Sequence, residues 1–134
     1  MAVRGAPYDK YLLNDIAVGL VLHLDPDRLE ADGGSYNCPA EARVRGQHVF
    51  LCVAINDAQS QWLPLFTNAA PSRIALSSDG RKGHGKWVDG DFYYHPGQVW
   101  TGSAKAIANA AARANDKSRR GRRSTLDAEH VPKL

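Results

Sequence analysis

Sulfur is scarce in this chain. Two cysteines and one methionine among 134 residues exclude the disulfide framework that staples small secreted domains. Cys38 sits beside Pro39 in a polar stretch, and Cys52 lies inside the apolar run Val49-Phe50-Leu51-Cys52-Val53-Ala54-Ile55. The expected state is two free thiols, the second buried. Neither belongs to a Cys-x-x-Cys pair or a Cys/His set with zinc spacing, so no metal and no cofactor is expected. No stretch approaches the roughly 18–20 unbroken apolar residues that span a bilayer. The longest candidate, residues 16–22, suits a buried strand. The N-terminus carries Arg4, Asp9 and Lys10 with no apolar run leading to a small-residue cleavage site, so no signal peptide is expected and the cytoplasm is the expected compartment. There is no Gly-Lys-Ser/Thr step for a Walker loop, and no internal repeat.

What is present is ordinary for one globular core: 43% apolar and 23% charged residues, too apolar for wholesale disorder. A chain of this size buries about two thirds of the surface its unfolded form exposes. The net charge of +3 is unevenly placed: residues 1–111 hold ten Lys/Arg against eleven Asp/Glu, whereas residues 112–134 hold seven against three. The chain is basic only because of its end. The expected organisation is therefore a single β domain over residues 1–112 and a basic, flexible tail over 113–134.

Along the chain, residues 8–14 suggest a short helical turn. Residues 16–24 form the first strand, with Gly19 marking a bend or a close backbone approach. Residues 25–46 are polar and rich in turn formers, as in Asp32-Gly33-Gly34-Ser35, and are expected to be a long loop. Residues 48–55 and 61–66 are strands, the former apolar on both faces and hence central. Residues 73–76 make a short strand, 77–85 a flexible loop, and 86–89 with 92–95 a hairpin around Asp89-Gly90-Asp91. Residues 98–100 could form a last strand. From residue 103 to 115 alanine dominates, the best helix former, with Thr101 or Ser103 as N-cap. The pattern predicts a mainly β (α+β) fold, a compact β-barrel with a C-terminal Ala-rich helix.

Two basic clusters are candidate nucleic-acid contacts. Arg81-Lys82-Gly83-His84-Gly85-Lys86-Trp87 interleaves cations with a ring, a composition suited to single strands, whose bases stack and whose backbone needs neutralising. It is equally the composition of a solvated hairpin. Lys117, Arg119, Arg120, Arg122 and Arg123, with Arg113 before them, stand against Asp116 alone and should bind polyanions in a salt-dependent way. The same segment could instead solubilise the chain or dock on an acidic protein partner.

Three segments carry a family likeness. Val18-Gly19-Leu20-Val21-Leu22-His23-Leu24-Asp25-Pro26 resembles the opening strand of the PemK/MazF toxins, an apolar strand begun by Gly and ended by an acidic-Pro step. Gly46-Gln47-His48-Val49-Phe50-Leu51 sits where that family has a Gly, an Arg-Pro step and an apolar strand. Leu63-Pro64-Leu65-Phe66-Thr67, followed by Ser72-Arg73-Ile74-Ala75-Leu76, is similar to its third strand and the short strand after it. The likeness covers residues 16–76.

This resemblance implies a small SH3-like barrel that cleaves single-stranded RNA without a metal, using the substrate's 2′-hydroxyl as nucleophile, in a toxin–antitoxin or phage-defence system. It also implies a homodimer and an antitoxin or other protein partner. Such a site needs a base, an acid and cations facing the phosphorane. His48 titrates in the right range, Arg45 or Arg73 offers a planar fork for phosphate, and Thr67 could donate to it. The family's Arg-Pro step is replaced by His48-Val49, so the phosphate contact would pass to Arg45 or Arg43, and if neither reaches the groove the resemblance implies the fold without the activity. The competing readings are a non-enzymatic nucleic-acid-binding or assembly protein of a mobile element, and an anti-defence or regulatory protein working through protein contacts.

Overall fold

The computed structural model describes residues 11–134, and central strands that are apolar on both faces set the architecture. β3 (His48–Asn56) and β4 (Gln59–Phe66) form an antiparallel hairpin. Asp57, in its turn, takes a φ of +56°, a conformation that Asp tolerates better than most residues. Phe50 and Cys52 pack into one core while Leu51 and Val53 pack into another, and Trp62 is separated from Leu63 and Leu65 in the same way. Successive side chains of a strand leave on opposite faces, so a hairpin apolar on both must be covered twice. β1 (Leu20–Leu24) pairs with β3 from Val21↔Leu51 to Leu24↔His48. It divides likewise, Leu20, Leu22 and Leu24 into the first core and Val21 into the second.

Helices cover the first face. α1 (Leu12–Asp15) contributes Leu12, α2 (Pro26–Ala31) contributes Leu29, and α4 (Ala104–Arg113) contributes Ala106, Ile107, Ala108, Ala110 and Ala111. Alanine lets α4 lie close to its neighbours, and the Ser103 hydroxyl caps it by accepting from the Ala106 amide at 3.1 Å. The second face is closed by Trp87 of α3 (Gly85–Asp89), Leu76, Phe92, Val99, Leu126 and Val131. The strand path runs β2 (Ser35–Tyr36), β8 (Trp100–Ser103), β4, β3, β1, β9 (Ser124–Leu126), β6 (Arg81–Lys82). β7 (Tyr93–Tyr94) joins the far end of β4 and pairs in turn with β5 (Ile74–Ala75). Every pairing is antiparallel. The chain is thus mainly antiparallel β with short helices, and its sheet is an open path ending on β2 and β6. Among the described residues no helix is long and apolar enough to cross a membrane.

Three segments differ from the sequence expectation. The 25–46 stretch is not one loop. Asp25 accepts from the Asp27 and Arg28 amides and Pro26 occupies the first helical turn, so α2 starts there. The 77–95 stretch holds β6 and α3 instead of a loop and a local hairpin. Trp87 is buried, its indole N–H donates to the Thr125 carbonyl at 2.9 Å, and β7 pairs with β4 and β5 rather than with residues 86–89. Residues 124–126, assigned to the tail, become β9 between β1 and β6 with Leu126 buried. Charge in residues 117–123 masks that short strand, in which Leu126 alone is apolar. The 8–14 turn appears as α1, and residues 8–10 lie outside the described residues.

Gly19 carries the junction of β1 with β9. Its φ is +97°, its amide donates to the Cys52 carbonyl at 2.8 Å, and the Leu126 amide donates to its own carbonyl at 2.8 Å. A Cβ there would lie 2.1 Å from the Leu126 carbonyl oxygen. Gly19→Ala should therefore lower the unfolding free energy by about 2–4 kcal/mol, combining positive-φ strain with a backbone clash. At Gly46, φ is +70° and the space around the missing Cβ is open, and Ala should cost about 1 kcal/mol. Urea unfolding of both variants reads the difference.

Candidate functional site

The first pair of β3 with β1 leaves His48 at the end of the sheet, and β4 ends beside it at Phe66. Beyond Phe66 the chain turns through Thr67 and Asn68 and returns to Arg73, whose Nη1 donates to the Asn68 carbonyl at 2.9 Å. The Arg73 guanidinium lies over the Phe66 ring, 3.8 Å from its centroid, and the His48 ring meets the same phenyl edge-on at 5.7 Å. These groups line an open cleft of about 370 Å³ together with His23, Gln47, Val49, Leu65, Thr67 and Asn68. The structure thus brings His48 of β3 together with Thr67 and Arg73 of the turn that follows β4.

His48 is half-buried, and its Nδ1 is enclosed without a hydrogen-bond partner among the described residues. Burial holds its pKa below the ordinary 6.5, the Arg73 charge adds to this, and the nearby carbonyls of Gly46 and Arg45 offset part of it without completing a bond to Nδ1. The imidazole is therefore neutral at neutral pH, the form that accepts a proton. The Arg73 guanidinium has one N–H fixed by Asn68 and its plane fixed by Phe66, and no other side-chain hydrogen bond engages it among the described residues. Its remaining donors are available to an anion.

Arg45 does not line the cleft. Its side chain is exposed, and Nη2 donates to the Ala40 carbonyl at 3.2 Å. Arg43 is committed to the fold: its side chain is 8% exposed, lies over Tyr36 and Trp100, pairs with Asp27 and comes within 3.6 Å of Glu30. Arg81 is buried among the carbonyls of Ser77, Trp87, Gly90 and Leu76, to all of which it donates. It is a structural arginine rather than a surface contact. Lys82, His84 and Lys86 are exposed, but they belong to β6 and the start of α3, three strands away from β3, and His84 Nδ1 caps α3 by accepting from the Lys86 amide.

The basic segment divides too. The Arg123 side chain is 8% exposed and pairs with Asp15 at 3.2 Å. Lys117, Arg119, Arg120 and Arg122 are exposed, with Arg120 over the Tyr11 ring. Asp116, the acid inside this run, ties it to the cleft wall: one carboxylate oxygen accepts from the His23 amide at 2.7 Å and lies 3.6 Å from His23 Nδ1. The other accepts from the Ser118 amide and hydroxyl. Burial would raise the Asp116 carboxyl, but the hydrogen bonds from His23 and Ser118 outweigh it and keep the group below the usual carboxylate range.

His23, Asn68 and the platform role of Phe66 were not singled out from sequence. A polar residue interrupting Leu20-Val21-Leu22-His23-Leu24 was the available signal for the first. Phe66 is only partly buried, packed against the first core at its edge. Comparison with protein-family models, curated proteins and solved structures returns no match.

Because the folded pKa of His48 lies below its unfolded value, the unfolded chain takes up the proton first on acidification. The stability His48 allows is complete above about pH 6.5 and declines as pH falls through the folded pKa. An NMR titration should place His48 below 6.5, with Arg73→Ala moving it upward. The wild type should lose more stability between pH 7.5 and 5 than His48→Gln does.

Proposed function

We propose that this chain is a metal-independent endoribonuclease of the toxin-like type, or an RNA-binding relative of one, belonging to a toxin–antitoxin or phage-defence system and acting on single-stranded RNA at this cleft. The observation that carries the reading is the convergence of a neutral, half-buried histidine, an arginine clamped on an aromatic platform, and the Thr67 hydroxyl in one open cleft. The segments with the family likeness coincide with β1, β3 and β4, the strands whose ends build that cleft. On this reading the open antiparallel sheet is a variant of the SH3-like, PemK-type barrel, and a second copy of the chain and an antitoxin or other protein are its natural partners.

His48 accepts the proton of the ribose 2′-hydroxyl as that oxygen attacks phosphorus. Arg73, held flat on Phe66, meets the non-bridging oxygens as they gain charge, where a preorganised donor is worth most. Thr67 donates alongside it. Phe66 and the face of Arg73 offer stacking surface to an unpaired base. Phosphate recognition falls to Arg73 rather than to Arg45 or Arg43, which the fold uses elsewhere.

One further observation favours a second reading. Four exposed cations, Lys117, Arg119, Arg120 and Arg122, follow directly on the Asp116 anchor, as a polyanion-binding or assembly protein using its basic segment would require. A regulatory or anti-defence protein acting by protein contacts would show neither cleavage nor affinity for RNA.

Incubation of mixed single-stranded RNA with the chain in EDTA should give cleavage, reduced about 10²- to 10⁴-fold in His48→Ala and about 10²- to 10³-fold in Arg73→Ala. Arg45→Ala should stay within about threefold of wild type, since its guanidinium lies outside the cleft. Intact RNA with the wild type sinks the enzyme reading.

Replacing Lys117, Arg119, Arg120 and Arg122 by Ser should flatten the log affinity–log salt slope by about 3, near 0.7 per lost phosphate contact. Cleavage at saturating RNA should persist. Loss of all RNA affinity with no cleavage in either protein would favour the basic-segment binder.

A further inference from the structure

The cleft holds a second histidine with a carboxylate behind it. β1 is buried except at His23, whose side chain is 58% exposed and which lines the cleft with His48 and Arg73. Asp116 holds this residue twice, through the backbone amide at 2.7 Å and at 3.6 Å from Nδ1. The carboxylate is itself held in place: its side chain is 8% exposed and its other oxygen is engaged by Ser118. With Nδ1 towards Asp116, Nε2 is the ring nitrogen left for another partner. This is the arrangement of a proton-transferring histidine oriented by a buried acid.

The register adds the decisive geometry. His23 is opposite Val49, whereas His48 is opposite Leu24, so the two histidines are neighbours along the β1–β3 ladder whose side chains leave on opposite faces. The cleft lies across these strand ends and is lined from both faces, by Val49 and Leu65 from one and Phe66 from the other. An in-line displacement at phosphorus places attacking and leaving oxygens on opposite sides, so its base and its acid must approach from opposite sides as well.

We propose that His23, oriented by Asp116, is the general acid of this cleft, protonating the 5′-oxygen that leaves while His48 acts on the 2′-hydroxyl. The inference rests on the ribonuclease reading above. In the step, the 2′-oxygen bonds to phosphorus and its proton passes to His48. The bond from phosphorus to the 5′-oxygen breaks, and that oxygen takes the proton from His23 Nε2. The products are a 2′,3′-cyclic phosphate and a 5′-hydroxyl, with one proton gained by His48 and one lost by His23. Asp116 is a positioning residue, and Ser118 acts only through it.

The test uses the full chain and two short single-stranded RNAs of one sequence, one with its scissile 5′-oxygen replaced by sulfur. A thiolate leaves without protonation, so it removes the need for an acid and leaves the need for a base. His23→Gln should cleave the oxygen substrate about 10²-fold or more slowly than wild type, yet match it within a few-fold on the sulfur substrate. Asp116→Asn should show a smaller defect that sulfur also rescues, and a melting curve confirms that it is folded. His48→Ala should be slow on both. Wild-type rates for His23→Gln on the oxygen substrate, or an equal defect on both, overturn the assignment while leaving the ribonuclease reading intact. A wild type that cleaves neither RNA overturns both.

Discussion

The double-faced β3–β4 hairpin governs this molecule. With Trp62, Phe50 and Cys52 on one side and Leu51, Leu63 and Leu65 on the other, neither face can be left in water. Fully burying each such side chain is worth about 1.5–3 kcal/mol, so the chain on either side of the hairpin is recruited as cover. Alanine-rich α4 and short α2 close one face. On the other, Trp87, Leu126 and Val131 arrive from segments whose sequences read as hairpin or tail. Cover runs out at the strand ends around His48 and Phe66, and the cleft opens there.

Burial also sorts the arginines into two populations. Arg43, Arg81 and Arg123 have lost most of their hydration, and a charge treated so must be paired or saturated with hydrogen bonds. Arg43 and Arg123 have carboxylates, and Arg81 has four carbonyls and the rings of Trp87 and Phe92. These side chains fasten loops to the sheet. Among the described residues the Arg73 guanidinium is held along one edge and one face, and the exposed cations of residues 117–122 keep most of their hydration. An arginine's place on the chain does not reveal which kind it is, because its partners come from distant segments: Asp15 meets Arg123 across 108 positions.

The cleft stores unfavourable terms that the rest of the fold avoids. An enclosed, unpartnered imidazole nitrogen costs about 1–3 kcal/mol, and the Arg73 charge beside His48 disfavours its protonation further. Among the described residues the other buried side-chain polar groups are satisfied: Trp62 Nε1 by Ser60, Trp100 Nε1 by Gln98, and Gln98 also by the Val44 amide. Where strain of this kind is concentrated in one open site, function is the expected reason.

Much of the molecule was legible in the chain itself. The apolar runs around residues 20–24, 48–55 and 61–66 give β1, β3 and β4, because short apolar runs bounded by turn formers are local properties. The alanine run with Ser103 before it gives α4, and Asp25-Pro26 carried the signal for α2 although its polar surroundings suggested a loop. His48, Thr67 and Arg73 were legible as chemical types suited to phosphate chemistry. Which residues stand beside them was decided only in three dimensions. The turn after β4 folds Arg73 back onto Phe66, Asp116 crosses from the end of α4 to hold His23, and β9 slots between β1 and β6. Each of these contacts joins residues whose meeting depends on how the two faces of the β3–β4 hairpin are covered. Local sequence determines which strands and helices form, and the burial of that hairpin determines which of their ends share a cleft.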